Sequence, residues 1–494
     1  MKPIAPRVSF VPDLLHLALP IALQTLMMTS LNLADTFMVG QLGEVQIGAI
    51  ALGNQIFFLL MLFQFGVGSG GAVFASQFWG RRDVAGVRRS LGLSLLFGVA
   101  GAILFTVAAV GMPALIMSIF TNDQQVIDEG VAYLRVVAAS YVFTAVSLAY
   151  THALRSVGDT RLPMYATGIS ITLNIAGNYV LIFGKLGLPA MGVAGAGLST
   201  AIARFLEMAI ILVVVYRRRG PVAASVAELV DWSRDFVKRF VGRAGPVVMN
   251  EILWSTGFTM YTVVFGRMGT SYLAAYNISD TVGRLLLVVF ISTAQATAVV
   301  IGNEIGAGRE PEARRMGHAI MRLVPFVSAA VGVIGFFVVA PLVPYLFEVS
   351  DAVRVLVRQF LRLFSVLMVV KTINLHVIVG ILRGGGDTRY ALAIDIVPLW
   401  VIGVPAAMIT GLVLGLPAPV VYLALNFEEL TRLVVGWRRV SSDAWIHDLT
   451  TPAFEPLPGL EAAGAPEVIG GGATSRGIEK CVADSPITPD ATKD

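Results

Sequence analysis

One acidic side chain, Asp35, lies in the stretch LNLADTFMVG (31–40), within about thirty residues of otherwise apolar sequence. A charged residue at the centre of a membrane helix costs about 2.5–3.5 kcal/mol, and such a residue is usually retained for a function. Helical spacing predicts one stripe that carries Gln24, Met28, Asn32 and Asp35. A carboxyl group beside an amide can exchange a proton or hold Na⁺ through oxygen ligands. The alternative is a carboxylate that reaches the nearer membrane surface and binds no ion.

Two asparagines in a later apolar run, Asn174 and Asn178 in LNIAGNYVLIFG, are spaced one helical turn apart. Their side-chain oxygens are suitable ligands for Na⁺ and suitable partners for a carboxyl group. We therefore predict an ion-coupling site that comprises Asp35, Asn32, Asn174 and Asn178. Hydrogen bonding between packed helices explains the two asparagines equally well.

A second acid, Glu251, lies in GPVVMNEILWSTGF, just after Pro246. Helical spacing places Trp254 and Phe258 on or beside its face. An acid beside aromatic rings attracts cations by charge and by cation–π interaction. We predict that these three residues and Met28 line a substrate cavity. The alternative for Glu251 is an ion pair with a neighbouring residue.

The remaining charges in apolar runs have simpler interpretations. Lys371 and Asn374 share one run, and we include both in the predicted substrate cavity, with Lys371 as a counter-charge for Glu251. Asp395 follows an arginine-rich turn closely and is predicted to lie at the membrane interface. Two pairs at i,i+3 or i,i+4 spacing are expected to neutralise each other, namely Arg204 with Glu207 and Asp280 with Arg284.

The composition is that of an integral membrane protein. The chain has 494 residues, of which 56% are hydrophobic and 14% are charged, and its mean hydropathy is +0.77. Soluble domains are about 25% charged, and continuous apolar runs of this length are typical of membrane-spanning helices. We predict twelve spans, at about 13–39, 47–79, 91–117, 127–154, 162–184, 192–216, 240–266, 271–304, 319–347, 353–382, 389–413 and 417–437.

Arginine and lysine concentrate in alternate connections. They follow predicted spans 2, 4, 6, 8 and 10, whereas the segments GQLGEVQ, FTNDQQVIDEG and GLPAP contain neither. The positive-inside rule then places the even-numbered connections and both termini in the cytoplasm. We predict a multi-pass protein of the bacterial cytoplasmic (inner) membrane.

The sequence contains an internal repeat. HALRSVGDTR (152–161) recurs as GILRGGGDTR (380–389), and two other segments recur in the same order at nearly the same offset of 228 residues. Six spans separate equivalent positions, so both halves have the same orientation. We predict an all-α fold of two parallel six-helix lobes, related by a pseudo-two-fold axis along the membrane normal.

The repeat defines the domains. Residues 1–216 form the predicted N-lobe, 217–239 a cytoplasmic linker, 240–440 the C-lobe and 441–494 a cytoplasmic tail. Within the linker, DWSRDFVKRF predicts a short amphipathic helix at the membrane surface. Within the tail, VSSDAWIHDLT is predicted to be interfacial, and the Pro-, Gly- and Ala-rich sequence from Pro452 onward predicts disorder.

The motifs of enzymes and of ATP-driven pumps do not occur in the sequence. It contains no GxxxxGK[ST], HExxH or GxSxG and no Cys/His metal spacing. We predict no enzyme activity, no bound cofactor, no metal beyond Na⁺ at Asp35 and no nucleic-acid partner. The expected partners are small-molecule drugs or metabolites and the lipid bilayer, and the expected state is a monomer.

The ADTFMVGQLG segment, the paired LRSVGDT and LRGGGDT turns and the glutamate after Pro246 resemble the MATE (multidrug and toxic compound extrusion) transporters over residues 10–450. The resemblance implies an antiporter that couples efflux of bulky, often cationic and aromatic compounds to entry of H⁺ or Na⁺ by alternating access. Asp35 and Asn174 match residues of that family's cation site, whereas some members have Asp where this chain has Asn178. The alternative is a lipid-linked oligosaccharide flippase of the related superfamily, which would line its cavity with basic residues such as Lys371.

Overall fold

The computed structural model describes residues 10–451, except the side chains of residues 32 and 33. Helices account for nearly all of this range, and the one pair of bridged extended residues is Gly386 with Ile446. The predicted tail from Pro452 to the end, and the side chain of Asn32, lie outside the described part.

Twelve long helical segments occur in this range. In chain order they are α1 (Val11–Gly40), α2 (Glu44–Gly80), α3 (Val84–Gly111), α4 (Gln124–Val137 and Ala139–Ser156), α5 (Arg161–Phe183), α6 (Gly192–Arg218), α7 (Arg234–Met268), α8 (Thr270–Gly306), α9 (Glu310–Leu346), α10 (Asp351–Leu382), α11 (Thr388–Val413) and α12 (Ala418–Leu425 and Phe427–Ser441). Short helices at Pro113–Ser118 and Val226–Leu229 follow α3 and α6. The twelve-helix prediction is confirmed.

Nine of the twelve segments are long and apolar enough to cross a membrane, and α4 is a tenth when its two parts, bent by 46°, are taken as one. The other two, α7 and α12, are of similar length. Both carry charged residues within the segment, among them Glu251, Glu428 and Arg432. Ion pairs within the protein neutralise these charges, as described below, which reduces the cost of placing them in a membrane.

Each half of the chain packs around its own apolar core. The core of the N-lobe, α1–α6, includes Leu60, Ala102, Leu134, Tyr141 and Val193. The core of the C-lobe, α7–α12, includes Tyr261, Tyr276, Phe360, Leu399 and Tyr422. The lobes meet where α2 packs on α7 and α8 and where α1 packs on α8. The predicted two-lobe fold is therefore confirmed.

The connections that follow α2, α4, α6, α8 and α10 carry the arginines, and we call the side of the molecule where they lie the basic face. The lobes approach most closely toward this face. A Cβ atom at Gly80 would overlap the carbonyl oxygen of Asn303, and one at Gly306 would overlap that of Gln77. The ends of α2 and α8 thus cross in direct backbone contact at the basic face.

Two boundaries differ from the prediction. The segment DWSRDFVKRF does not form a separate surface helix, because α7 begins within it at Arg234. Phe236 and Phe240 are buried against Phe74 of α2, with ring centroids 5.7 and 5.6 Å apart. At the other end, α12 continues to Ser441, and residues 442–451 pack against the helices, so the ordered body extends past the predicted tail boundary at 441.

Candidate ion and substrate sites

Asp35 lies five residues before the end of α1, on the side opposite the basic face. Asn178 of α5 donates a hydrogen bond of 2.6 Å to Asp35 Oδ1. The Asn174 amide matches its neighbours best with its nitrogen toward Asp35, 3.1 Å from Oδ1, and its oxygen toward the backbone nitrogen of Thr200. The structure thus brings together three of the four predicted ion-site residues, across two helices separated by more than 130 positions.

The two asparagines are held rigidly. Both are buried, and Ser199 of α6 donates a hydrogen bond of 2.9 Å to the backbone carbonyl of Asn174. Asn178 Oδ1 is buried and has no hydrogen-bond partner among the described residues. An unpaired buried oxygen beside a carboxylate is a suitable ligand for a monovalent cation or an acceptor for a protonated carboxyl group. No group of three or more His, Cys, Asp or Glu side chains that could hold a metal occurs within the described residues.

A polar chain crosses the N-lobe closer to the basic face. Arg155 of α4 donates to Gln24 of α1 at 2.6 Å, and Gln24 donates to Thr167 of α5 at 2.8 Å. Thr167 in turn donates to Glu207 of α6 at 2.6 Å, and Arg204 pairs with Glu207 at 2.7 Å, which confirms the predicted Arg204–Glu207 pair. This chain links four helices of the N-lobe at one depth.

Glu251 forms an ion pair of 2.9 Å with Arg383, at the end of α10. The repeat makes Arg383 the equivalent of Arg155, and Glu251 lies one residue after Asn250, which the offset of 226 between Pro20 and Pro246 makes the equivalent of Gln24. A similar contact therefore occurs in both lobes, but its acceptor is a carboxylate in the C-lobe and a neutral amide in the N-lobe. Arg155 has a second partner across the lobe boundary, Gln295 of α8, also an amide, at 2.8 Å.

A cavity of about 40 Å³ lies between the lobes, and both repeat-related arginines, with His152, Gln295 and Ser69, are among the residues that line it. A volume of this size holds ordered water but no drug-sized molecule. The space between the lobes is therefore closed to a drug-sized molecule between the basic face and the level of Arg155 and Arg383.

The C-lobe also contains a buried cluster of charges. It comprises Lys371 of α10, Asp395 of α11 and Glu428, Glu429 and Arg432 of α12. Arg432 lies 3.3 Å from Asp395, 3.2 Å from Glu428 and 3.6 Å from Glu429, and Lys371 lies 3.0 Å from Glu429. Three carboxylates therefore face two cations, which leaves one formal negative charge unless one carboxyl group is protonated.

One prediction about this region was wrong, the pairing of Lys371 with Glu251. Lys371 pairs with Glu429, and the counter-charge of Glu251 is Arg383. Asp395 is buried within the protein and accepts a hydrogen bond of 2.7 Å from Asn250. The predicted cavity residue Asn374 is also buried and donates to the Glu429 side chain at 2.8 Å.

Glu428, Glu429 and Arg432 are not among the residues predicted from the sequence. The signal is nevertheless present, because NFEELTRL places three charged residues within one predicted span. That is the same kind of signal that identifies Asp35. The exposed pair Asp280–Arg284, in contrast, is confirmed at 2.7 Å.

The predicted aromatic residues Trp254 and Phe258 follow Glu251 along α7, farther from the basic face. Trp254 and Phe258 of α7 pack together, with ring centroids 4.3 Å apart, and contact the core of the C-lobe. Met28 is half-buried on α1, the helix that the repeat relates to α7. The structure therefore places these side chains on equivalent helices of the two lobes.

Comparisons with known proteins identify relatives over most of the chain. The sequence model of the MatE family matches residues 20–180 and 246–409, one segment in each lobe. The Bacillus subtilis uncharacterized transporter YisQ is 26% identical over 88% of this chain and 95% of its own length. The Thermotoga maritima probable multidrug resistance protein NorM is 25% identical over 80% of this chain and 85% of its own length.

Solved structures share the fold. A mutant of the Vibrio cholerae MATE transporter VcmN has a TM-score of 0.80 at 18% identity, covering 88% of this chain and 96% of its own. A multidrug resistance MATE family transporter in an outward-facing conformation has a TM-score of 0.77 at 21% identity, covering 87% of this chain and 96% of its own. With the family match in both lobes, these findings show that the chain belongs to the MatE family, the multidrug and toxic compound extrusion (MATE) transporters.

Proposed function

We propose that this chain is a multidrug efflux transporter that exports small molecules in exchange for H⁺ or Na⁺. The observation that carries the proposal is the carboxylate of Asp35, which two buried asparagines of α5 hold beside an unpaired amide oxygen. This arrangement can bind a proton or a monovalent cation and release it when α1 moves relative to α5. Relatives named as probable multidrug resistance proteins support drug export.

Alternating access of the two lobes supplies the mechanism. The lobes are in backbone contact at the basic face, and the cavity next to that contact is too small for a drug. Substrate release toward the opposite face fits this conformation, and uptake from the basic face requires the ends of α2 and α8 to separate. Binding of a proton or Na⁺ at Asp35 would shift the equilibrium toward the conformation that binds it more tightly.

The substrates that we propose are bulky and aromatic, and often cationic. Trp254 and Phe258 offer a surface of two adjacent, mutually tilted aromatic rings, one turn and two turns from Glu251. The charge of Glu251 is compensated by Arg383, so a cationic substrate would have to compete with that guanidinium. Such competition links substrate binding to a movement of α10 relative to α7.

Orientation and location follow from the loop charges. We propose that the basic face is cytoplasmic, that both termini lie on that side and that the protein is a monomer in the bacterial cytoplasmic membrane. We retain the lobe boundaries proposed from the repeat, 1–216 and 240–440, although α7 itself begins at Arg234, within the predicted linker. The flippase alternative relied on Lys371 as a cavity base, and its pairing with Glu429 removes that support.

The decisive experiment measures drug movement in proteoliposomes under an imposed H⁺ gradient and, separately, an imposed Na⁺ gradient. Fluorescent organic cations serve as probes, and Asp35→Asn is compared with Asp128→Asn, which removes an exposed acid of α4. We expect gradient-driven export by the native protein and by Asp128→Asn, and none by Asp35→Asn. Unimpaired export by a folded Asp35→Asn protein would overturn the coupling role.

A further inference from the structure

Residues 442–451, which we call the C-terminal strap, follow α12 across the basic face. Trp445 is fully buried, beside Gly317 of α9 and Gly385 in the turn between α10 and α11. The backbone nitrogen of His447 donates to the carbonyl of Gly385 at 2.8 Å. The first half of the strap is therefore anchored to the C-lobe.

A side chain of the C-lobe turn reinforces this anchor. Asp387 lies 3.5 Å from His447 Nε2 and 2.7 Å from Arg439, at the end of α12. Burial tends to raise the pKa of Asp387, but hydrogen bonds from His447 and Arg439 outweigh burial and hold the pKa below its usual value. The carboxylate is thus ionised at neutral pH and fixes the strap to the turn.

The second half of the strap contacts the N-lobe through Gln77 of α2. The Gln77 side chain donates to the carbonyl of His447 at 3.0 Å and accepts from the backbone nitrogen of Leu449 at 2.7 Å. Arg81, one turn further along α2, donates to the Thr450 hydroxyl at 3.0 Å. The side-chain nitrogen and the side-chain oxygen of buried Gln77 therefore both bond to the strap, which is anchored in the other lobe.

Leu449 adds an apolar contact with the N-lobe, and Arg239 of the C-lobe holds the same end of the strap. Leu449 is buried in the cluster that contains Val73, Phe74 and Phe78 of α2. Arg239, in the first turns of α7, donates to the backbone carbonyls of Leu449 and Thr451 at 3.3 and 3.1 Å. The strap thus contacts α2 and α7 at the point where those two helices pack together.

Gln77 also marks the crossing of the lobes, because its backbone carbonyl lies against Gly306 of α8. When α2 separates from α8 at the basic face, the distance from Gln77 to the C-lobe must increase. The strap spans that same gap, with Trp445 on one side and Leu449 on the other. Both attachments can persist only if the strap extends. Otherwise the strap moves with one lobe and releases the other.

We infer that the C-terminal strap holds the two lobes together at the basic face and must release Gln77 before that face can open. The inference rests on the alternating-access movement of the proposed function. Residues 442–451 thereby stabilise the conformation closed at the basic face relative to the open one. Loss of the two hydrogen bonds of Gln77 alone would shift that equilibrium by about one order of magnitude, and loss of the whole strap would shift it further.

The experiment measures the distance between the lobes in lipid nanodiscs without a gradient or drug. Spin labels at Val226→Cys, in the connection that packs on α3, and at Glu310→Cys, at the start of α9, report the basic face in a Cys481→Ser background. The tested variants are Gln77→Ala and a chain that ends at Ser441. We expect Gln77→Ala to raise the ratio of long to short distances about tenfold, and the chain that ends at Ser441 to raise it further.

Two matched controls isolate the strap. Gln64→Ala removes another buried amide of α2, whose hydrogen bond of 2.7 Å to the Gly98 carbonyl stays within the N-lobe. A chain that ends at Thr451 removes the same terminal residues as the shorter chain but keeps the strap. We expect both controls to give the native distance distribution.

Each outcome decides the inference. Native distances in Gln77→Ala would overturn it, and this point variant remains decisive if the chain ending at Ser441 does not fold. Long distances in both controls would overturn it as well, because the effect would then not belong to the strap. If the distances change as expected but the native protein does not export drug, the proposed function is overturned and the role of the strap remains established.

Discussion

Asn178 donates a hydrogen bond of 2.6 Å to Asp35, and so connects the only acid of α1's outer half to the last turns of α5. The repeat offset of 226 places Tyr261 of α7 at the position equivalent to Asp35, so α7 has no corresponding carboxyl group. The two lobes share a fold but differ in the groups that can bind an ion. The proposed ion coupling at this depth therefore has its carboxyl group in the N-lobe.

The contact between Asn178 and Asp35 leads to the first prediction. Asn178→Leu removes a hydrogen bond to a charged group, which is worth about 1.5–3 kcal/mol, and also removes the neighbouring amide oxygen. We expect gradient-driven export to fall at least about tenfold in proteoliposomes, since about 1.4 kcal/mol corresponds to a factor of ten.

Two further variants test that interpretation. Asn178→Asp restores an oxygen ligand and should retain export with a changed dependence on H⁺ and Na⁺. Thr172→Val alters an exposed residue of the same helix, whose hydroxyl bonds only to the Gly168 carbonyl, and should behave as the native protein. Native export by Asn178→Leu would show that the asparagine is only a contact between helices.

The pair formed by Glu251 and Arg383 leads to a prediction about stability. Glu251→Gln leaves the guanidinium of Arg383, which is 3% exposed, without a counter-charge. Breaking a buried ion pair from one side costs about 3–5 kcal/mol. We expect a clear drop in the unfolding temperature in detergent, and recovery of most of it in the double variant Glu251→Gln/Arg383→Gln.

The exposed pair Asp280–Arg284 provides the control, because an exposed pair contributes about 0–1 kcal/mol. Asp280→Asn should therefore leave the unfolding temperature nearly unchanged. If the double variant at 251 and 383 were as unstable as Glu251→Gln alone, the destabilisation would come from lost packing and not from an unpaired charge.

The charge cluster of the C-lobe predicts an order of stabilities. Arg432 pairs with three carboxylates, whereas Lys371 pairs with one, Glu429. Without Lys371, Glu429 would keep its contact with Arg432 and its hydrogen bond from Asn374. Arg432→Met should therefore destabilise the protein more than Lys371→Met, as measured by thermal unfolding and by the yield of monodisperse protein.

The same variants separate a structural role of Lys371 from a transport role. If Lys371 only neutralises Glu429, then Lys371→Met should lower stability and export in proportion. A stable Lys371→Met protein that has lost export would instead place this lysine in the transport pathway.

Backbone contact at the basic face leads to the last prediction. A side chain at Gly306 would overlap the carbonyl oxygen of Gln77, so Gly306→Val should prevent α2 and α8 from closing. We expect the distance between labels at 226 and 310 to lengthen and export to be lost, because substrate could no longer be released on the opposite side.

Gly245→Ala is the control for this substitution. Gly245 lies within α7, and a Cβ atom there meets no other group within 4 Å. The added methyl group should leave the label distance and the export rate unchanged. An unchanged distance in Gly306→Val would mean that the crossing of α2 and α8 can shift to make room.

The sequence by itself determined the membrane class, the twelve helices, the two parallel lobes and the grouping of Asp35 with Asn174 and Asn178. These features depend on runs, periods and repeats, which are local or exactly recurrent. Hydrophobic length sets a span, helical spacing sets a face, and a repeated segment sets a repeated fold.

Only the tertiary structure decided the partners of the buried charges and the course of residues 442–451. Helical spacing shows that Glu251 faces other helices, but which cation it meets depends on how α7 and α10 pack across more than 130 residues of chain. Lys371 and Arg383 lie on the same helix, and their different depths assign one to Glu429 and the other to Glu251. The strap was equally hidden, because a short polar segment is ordered only by the surface on which it lies, and that surface exists only when both lobes are assembled.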